Sequence, residues 1–99
     1  MKKEDQNELT MLRQQIDEHD RKLVEVLAER FKTTAQVGEY KAKHGLPPMD
    51  KERERKKFAA LAEMARSRGL NEDLVQDLFE RIIEEVRREH RIRAGEKEQ

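Results

Sequence analysis

ELTMLRQQIDEHDRKLVEVLAERFKTTAQVGEYKAK, the stretch from Glu8 to Lys43, decides the fold. It holds no proline and a single glycine, Gly38. Leu9, Leu12, Ile16, His19, Leu23, Val26, Arg30, Thr33, Val37 and Tyr40 follow one another at spacings of three and four. That is the period of a helix face, not the alternation of a strand. A helix of about 36 residues would be about 54 Å long at 1.5 Å rise per residue. Such a rod does not fit inside a compact domain of this size, whose radius of gyration should be about 13 Å. Two short helices cannot cover its apolar stripe, so the long helix is expected to pair with a second copy across a two-fold axis.

The stripe also carries charge. Arg30 lies in it, Lys41 lies beside its end, and Arg13 is one residue off it. Cations on a face meant for burial are costly unless something negative meets them. Arg30 and Lys41 are three turns apart, about 16 Å along the axis, and project on nearly the same side. Their side chains can lean toward one small anion. Arg13 lies about 25 Å from Arg30 along the axis. It cannot share that site within its own chain, but in an antiparallel dimer it could reach the partner's. The alternative for Arg13 and Arg30 is a surface or snorkelling role.

Beyond Lys43, His44-Gly45 reads as a helix stop, with Pro47-Pro48 just after it. Asp50 reads as the N-cap of a second helix over about Lys51–Ser67, with Glu52 in its first turn. Its inward face is Glu54, Phe58, Leu61, Ala62 and Ala65. Arg68-Gly69-Leu70 breaks it. Asn71 caps a third helix, about Glu72–Arg91, whose apolar face runs through Leu74, Val75, Leu78, Phe79, Ile82, Ile83 and Val86 to His90. Gly38, inside the long helix, costs roughly 1 kcal/mol against Ala, which points to a close packing contact there. The reading is all-α, with one long and two shorter helices. It divides the chain into a disordered N-terminus at 1–7, a helical domain at 8–92 and a disordered tail at 93–99.

Composition narrows the function classes. Of 99 residues, 44% are charged, with 22 basic and 22 acidic side chains and a formal net charge of zero. That balance and the small aromatic content, one Tyr and three Phe, argue against nucleic-acid binding. The absence of cysteine removes disulfides and thiolate metal sites. The opening MKKEDQNE has no apolar segment, and no apolar run is long enough to span a bilayer. The expectation is a soluble cytoplasmic protein with no membrane contact.

Asp50-Lys51-Glu52-Arg53-Glu54-Arg55 reads at face value as a solvated first turn. Yet Glu54 lies one turn before Phe58, on the buried side, with Arg53 next to it. A carboxylate and a guanidinium there could read a hydroxyl and a carboxylate respectively. His90 continues the apolar stripe of the third helix, where a lone histidine is more often structural; His19 reads the same way on the first helix, and His44 as an exposed residue near its end. The three histidines show no metal spacing, and there is neither a nucleophilic triad nor a glycine-rich phosphate loop. Several cations with one or two hydroxyl readers and no nucleophile suit a small dianion. Its reaction would need positioning and charge stabilisation, not covalent chemistry.

The order of these residues resembles the all-helical class of chorismate mutases. The resemblance covers about residues 9–90. It is carried by Leu12-Arg13-Gln14-Gln15-Ile16-Asp17, Leu27-Ala28-Glu29-Arg30, Val37-Gly38-Glu39-Tyr40-Lys41, Asp50-Lys51-Glu52-Arg53-Glu54-Arg55 and Leu78-Phe79-Glu80-Arg81-Ile82-Ile83-Glu84. Each fragment is weak alone, and five in order are a strong signal. The resemblance implies an intertwined homodimer of three-helix chains with active sites built from both subunits. It implies the Claisen rearrangement of chorismate to prephenate, on the route to phenylalanine and tyrosine, with no cofactor and no metal. By matching position, Arg30 and the partner's Arg13 would clamp the substrate carboxylates, and Arg53 would assist or order the site. Lys41 would contact a carboxylate and the ether oxygen. Glu54, with the Asp50 backbone, would hold the ring hydroxyl.

Two positions depart from the family's pattern. His90 stands where a Gln or Glu often faces the ether oxygen, and Val86 where a small hydroxylic residue can sit one turn earlier. The expectation is that His90 substitutes for that Gln. Either the imidazolium or the neutral tautomer with its proton on the facing nitrogen would donate. If the charged form is needed, activity should fall as pH rises through the histidine range. The competing readings are an isochorismate-pyruvate lyase or an aminodeoxychorismate mutase on the same scaffold, or a helical dimerisation module without catalysis.

Overall fold

The computed structural model describes residues 3–93 and Gly95, with side chains described from Gln6 onward. Three helices make up the architecture: α1 Lys3–Lys43, α2 Lys51–Ser67 and α3 Glu72–Arg93. No strand occurs among the described residues. The chain is all-α, with one long and two shorter helices. α1 begins at Lys3, inside the segment 1–7 expected to be disordered. Residues 1 and 2, and 94 and 96–99 of the expected tail, lie outside the described residues.

The chain forms two units, one ending at Thr33 and one beginning at Thr34. In the first, α1 carries its own ion pairs along the exposed surface. Arg21 bridges Glu18 and Glu25 at i−3 and i+4, and Lys32 meets Glu29 at 3.1 Å. These two carboxylates, Glu18 foremost, hold the Arg21 guanidinium above its ordinary pKa. The apolar stripe of this unit is largely open: Leu12 is 48% exposed, Leu23 63% and Val26 67%. Leu9, Leu27 and Arg30 are half-buried, whereas Arg13 and His19 are exposed.

The second unit is built around the α2–α3 hairpin. Both of its turns are closed by glycines with positive φ. Gly45 (φ 63°) ends α1, with Leu46 N–H donating to the Lys41 carbonyl (2.8 Å) and Gly45 N–H to the Ala42 carbonyl (3.4 Å). Gly69 (φ 72°) ends α2 in the same pattern: Leu70 N–H donates to Ala65 (2.9 Å) and Gly69 N–H to Arg66 (3.2 Å). The crossed pair of bonds is the Schellman closure, which satisfies the last helical carbonyls and favours glycine. Asp50 caps α2 by accepting from the Arg53 N–H at 3.0 Å, and Asn71 caps α3 by accepting from the Leu74 N–H at 3.0 Å.

α2 and α3 run antiparallel, as their cross-links show: Arg66 meets Glu72 near the turn (2.9 Å), and Glu54 meets Arg87 at the far end (2.5 Å). Arg66 is held charged by Glu63 and Glu72, which raise its pKa. The expected inner face of α2 is seen, with Ala65 buried and Glu54, Phe58, Leu61 and Ala62 half-buried. On α3, Ile82 is buried and Val75, Phe79, Ile83 and Val86 are half-buried. Leu74 (61%) and Leu78 (48%) stay exposed. A face of seven apolar residues is wider than one facing helix covers, so these two fall outside the seam.

Candidate active site

His90 packs against Gly38 within the second unit. A β-carbon built on Gly38 would stand 2.8 Å from His90 Nε2 and 3.1 Å from Cδ2 and Cε1. The bare glycine therefore opens a notch in α1 that the imidazole fills. Through it, His90 Nε2 reaches the Thr34 carbonyl, one turn earlier, at 3.1 Å. A carbonyl oxygen only accepts, so Nε2 carries the proton of this bond. The one other ring donor is Nδ1–H, which coexists with Nε2–H only in the imidazolium.

Lys41, three residues after Gly38, lines the same groove, about 490 Å³ in volume. Ala42, Leu46, Pro48 and His90 make up much of its remaining wall, and Glu39 and Arg93 complete the charged part. Lys41 Nζ donates to the Pro48 carbonyl at 3.4 Å. Its ammonium is thus turned back over the loop that the Gly45 closure shapes. A long, weak bond of this kind is readily exchanged for a stronger acceptor such as a carboxylate.

The other sequence-derived residues of this unit lie around the start of α2 and on α3. Asp50 is committed through its side chain to the α2 N-cap. Arg53 is exposed and lines a separate groove with Asp50, Glu52, Lys56 and Lys57. Glu54 is half-buried and accepts from Arg87 Nη2 at 2.5 Å, a pair that joins α2 to α3. Val86 is half-buried one turn before His90. Lys41 and His90 are therefore brought into one groove, whereas Arg53 and Glu54 line grooves of their own. Arg30 and Arg13 belong to the first unit, half-buried and exposed respectively. Among the described residues, no group of three His, Cys, Asp or Glu is placed to hold a metal ion. No helix among them is long and apolar enough to cross a membrane.

Sequence reasoning misses Arg87. The available signal is its place four residues after Ile83, at the edge of the apolar stripe. A cation there is drawn toward the α2–α3 seam and needs an anion. Glu54 is that anion.

Comparison with known proteins places this geometry in context. Residues 12–91 match the family described as chorismate mutase type II. The T-protein of Enterobacter agglomerans is 41% identical over 79% of this chain and 21% of its own length. The 4-amino-4-deoxychorismate mutase of Streptomyces venezuelae is 32% identical over 83% of this chain and 80% of its own. The chorismate mutase of Methanocaldococcus jannaschii is 30% identical over 77% of each chain. The chain thus spans about a fifth of the T-proteins it matches and about four-fifths of the two mutases.

Proposed function

The chain belongs to the chorismate mutase type II family, and we propose that it rearranges chorismate to prephenate as an intertwined homodimer. The observation that carries the reading is the family match over residues 12–91, with Lys41 and His90 sharing one groove inside it. The reaction breaks the ether C–O bond and forms a C–C bond within one molecule. No proton, electron or group is exchanged with the protein. The protein's contribution is to hold the reactive conformer and to stabilise charge building on the ether oxygen.

Lys41 supplies a donor to that oxygen and to a carboxylate. His90 supplies the second donor through Nδ1–H, because Nε2–H is given to Thr34; the active form is therefore the imidazolium. Its charge is placed beside Lys41, Glu39 and Arg93, the ionisable residues of the groove wall. Arg30 and the partner's Arg13 clamp the two carboxylates. Arg53 orders the entrance, with Val86 packing under the ring. Glu54 and the Asp50 backbone hold the ring hydroxyl. Charge-assisted hydrogen bonds of this kind contribute about 1.5–3 kcal/mol each, and catalysis uses the part that grows toward the transition state. The open stripe at Leu12, Leu23 and Val26 supports a second copy along α1. A cytoplasmic place in aromatic amino acid biosynthesis follows from the same reading.

The test is the loss of chorismate absorbance on adding purified protein, repeated with Arg30→Ala. Turnover by the wild type and its collapse in the variant are the expected results. No loss of absorbance at micromolar enzyme overturns the assignment. The Streptomyces relative raises a second reading, a mutase for the 4-amino analogue, which the pairing of Glu54 with Arg87 addresses.

A further inference from the structure

We propose that Arg87 is a specificity-determining residue, which makes the Glu54 subsite accept a neutral ring hydroxyl and reject an ammonium. The inference rests on the reading of Glu54 as the group that holds the ring substituent. Arg87 Nη2 donates to Glu54 Oε1 at 2.5 Å across the α2–α3 seam. The two side chains are 39% and 32% exposed, so the pair is partly withdrawn from water. Phe58 and Ile83 line the same groove on its apolar side. Arg87 Nε is buried and has no hydrogen-bond partner among the described residues. The guanidinium is thus seated against the seam rather than extended into solvent.

A carboxylate alone in such a place would favour a cation. A primary amine on the substrate ring, protonated at neutral pH, would meet it as an ion pair. With Arg87 in contact, the carboxylate charge is already matched. Oε2 keeps lone pairs that accept from an O–H. An ammonium brought to Oε2 instead lies within one side chain's width of the guanidinium, and like charges at that range disfavour each other. The further carboxylates of the groove do not reverse this: Glu80 is engaged by Gln76 at 3.1 Å, and Glu84 is exposed to solvent. A purely structural brace between the helices would predict something different: loss of stability with no change in substrate choice.

The experiment measures kcat/KM for chorismate and for 4-amino-4-deoxychorismate with the wild type, Arg87→Leu, Arg87→Gln and Arg87→Lys, each checked for folding by a cooperative melt. The wild type should favour chorismate. Removing the charge should move the ratio of the two values toward the amine by about tenfold or more, the scale of one unpaired like-charge contact. Arg87→Lys should restore most of the wild-type ratio. Proportional loss on both substrates in the charge-removing variant that folds, with the ratio unchanged, overturns the proposal and leaves the mutase reading standing. A wild type that prefers the amine also overturns it. A wild type that converts neither substrate removes the mutase reading, and the proposal with it.

Discussion

The imidazole of His90 occupies the space where any residue other than glycine at position 38 would put its β-carbon: that atom would stand 2.8 Å from Nε2. The glycine in the middle of a long helix is therefore the seat of the histidine, and the seat fixes which ring nitrogen holds the Thr34 carbonyl.

Gly38→Ala tests that seat. Alanine improves helix propensity by about 1 kcal/mol, while overpacking a filled space costs about 1–3 kcal/mol. The net stability change should be small, between neutral and about 2 kcal/mol destabilising. Activity should fall about tenfold or more, because the ring must leave Thr34 and its donor direction is lost. Thermal melts and kcat/KM measured together separate the two effects. A variant with wild-type kcat/KM shows that Gly38 does not set the position of His90 for catalysis.

The pH dependence follows from the same bond. With Nε2–H committed to Thr34, His90 donates to substrate only when doubly protonated. Deprotonation removes that donor, so kcat/KM should decrease as pH rises through the range where the imidazolium gives way to the neutral ring. His90→Gln donates without titrating, and its profile should be flatter across that range. A wild-type profile that is level and fully active throughout excludes the imidazolium as the donor.

The exposed stripe on α1 predicts the oligomeric state. Leu23 is 63% exposed within its own chain, so Leu23→Asp removes nothing from the chain's own core. In a dimer it buries a charge without a partner, a change of several kcal/mol. Gel filtration with light scattering should show a dimer for the wild type and a monomer for the variant, with chorismate turnover lost alongside. A wild-type monomer of full activity breaks the shared-site reading.

Gly69 offers a control remote from the groove of Lys41 and His90. Its φ of 72° lies where a β-carbon is strained, and Gly69→Ala should cost about 1–2 kcal/mol. For a chain of this length that is a fall in Tm of roughly 4–16 °C, taking 4–8 °C per kcal/mol. kcat/KM at low temperature should be unchanged. A melt that does not move means that the α2–α3 turn adopts another closure.

Much of the fold was legible because it is governed by short-range bonds. The caps at Asp50 and Asn71 and the stop at Gly45 each involve residues within five positions of one another. The inner face of α2, from Glu54 to Ala65, is legible because a 3.6-residue period selects it. Lys41 stood out as a cation beside the apolar stripe and His90 through the family pattern, and the two line one groove. Helix α1 is assigned from Lys3, since adding residues to a helix that already exists costs little.

What the sequence determined by itself is the set of helices, the ends marked by Asp50, Asn71, Gly45 and Gly69, and the conflict of cations on an apolar stripe, since each depends on neighbours along the chain. The tertiary structure decided which atoms meet across it. His90 reaches Thr34 over 56 positions, and Arg87 reaches Glu54 over 33. Both contacts depend on helix packing register, which no local period specifies. A shift of one residue in that register turns a side chain by about 100° around the helix and would part either pair. Gly38 lies between the two levels. Its cost was visible in the sequence, and its reason, the imidazole of His90, only in the packed structure.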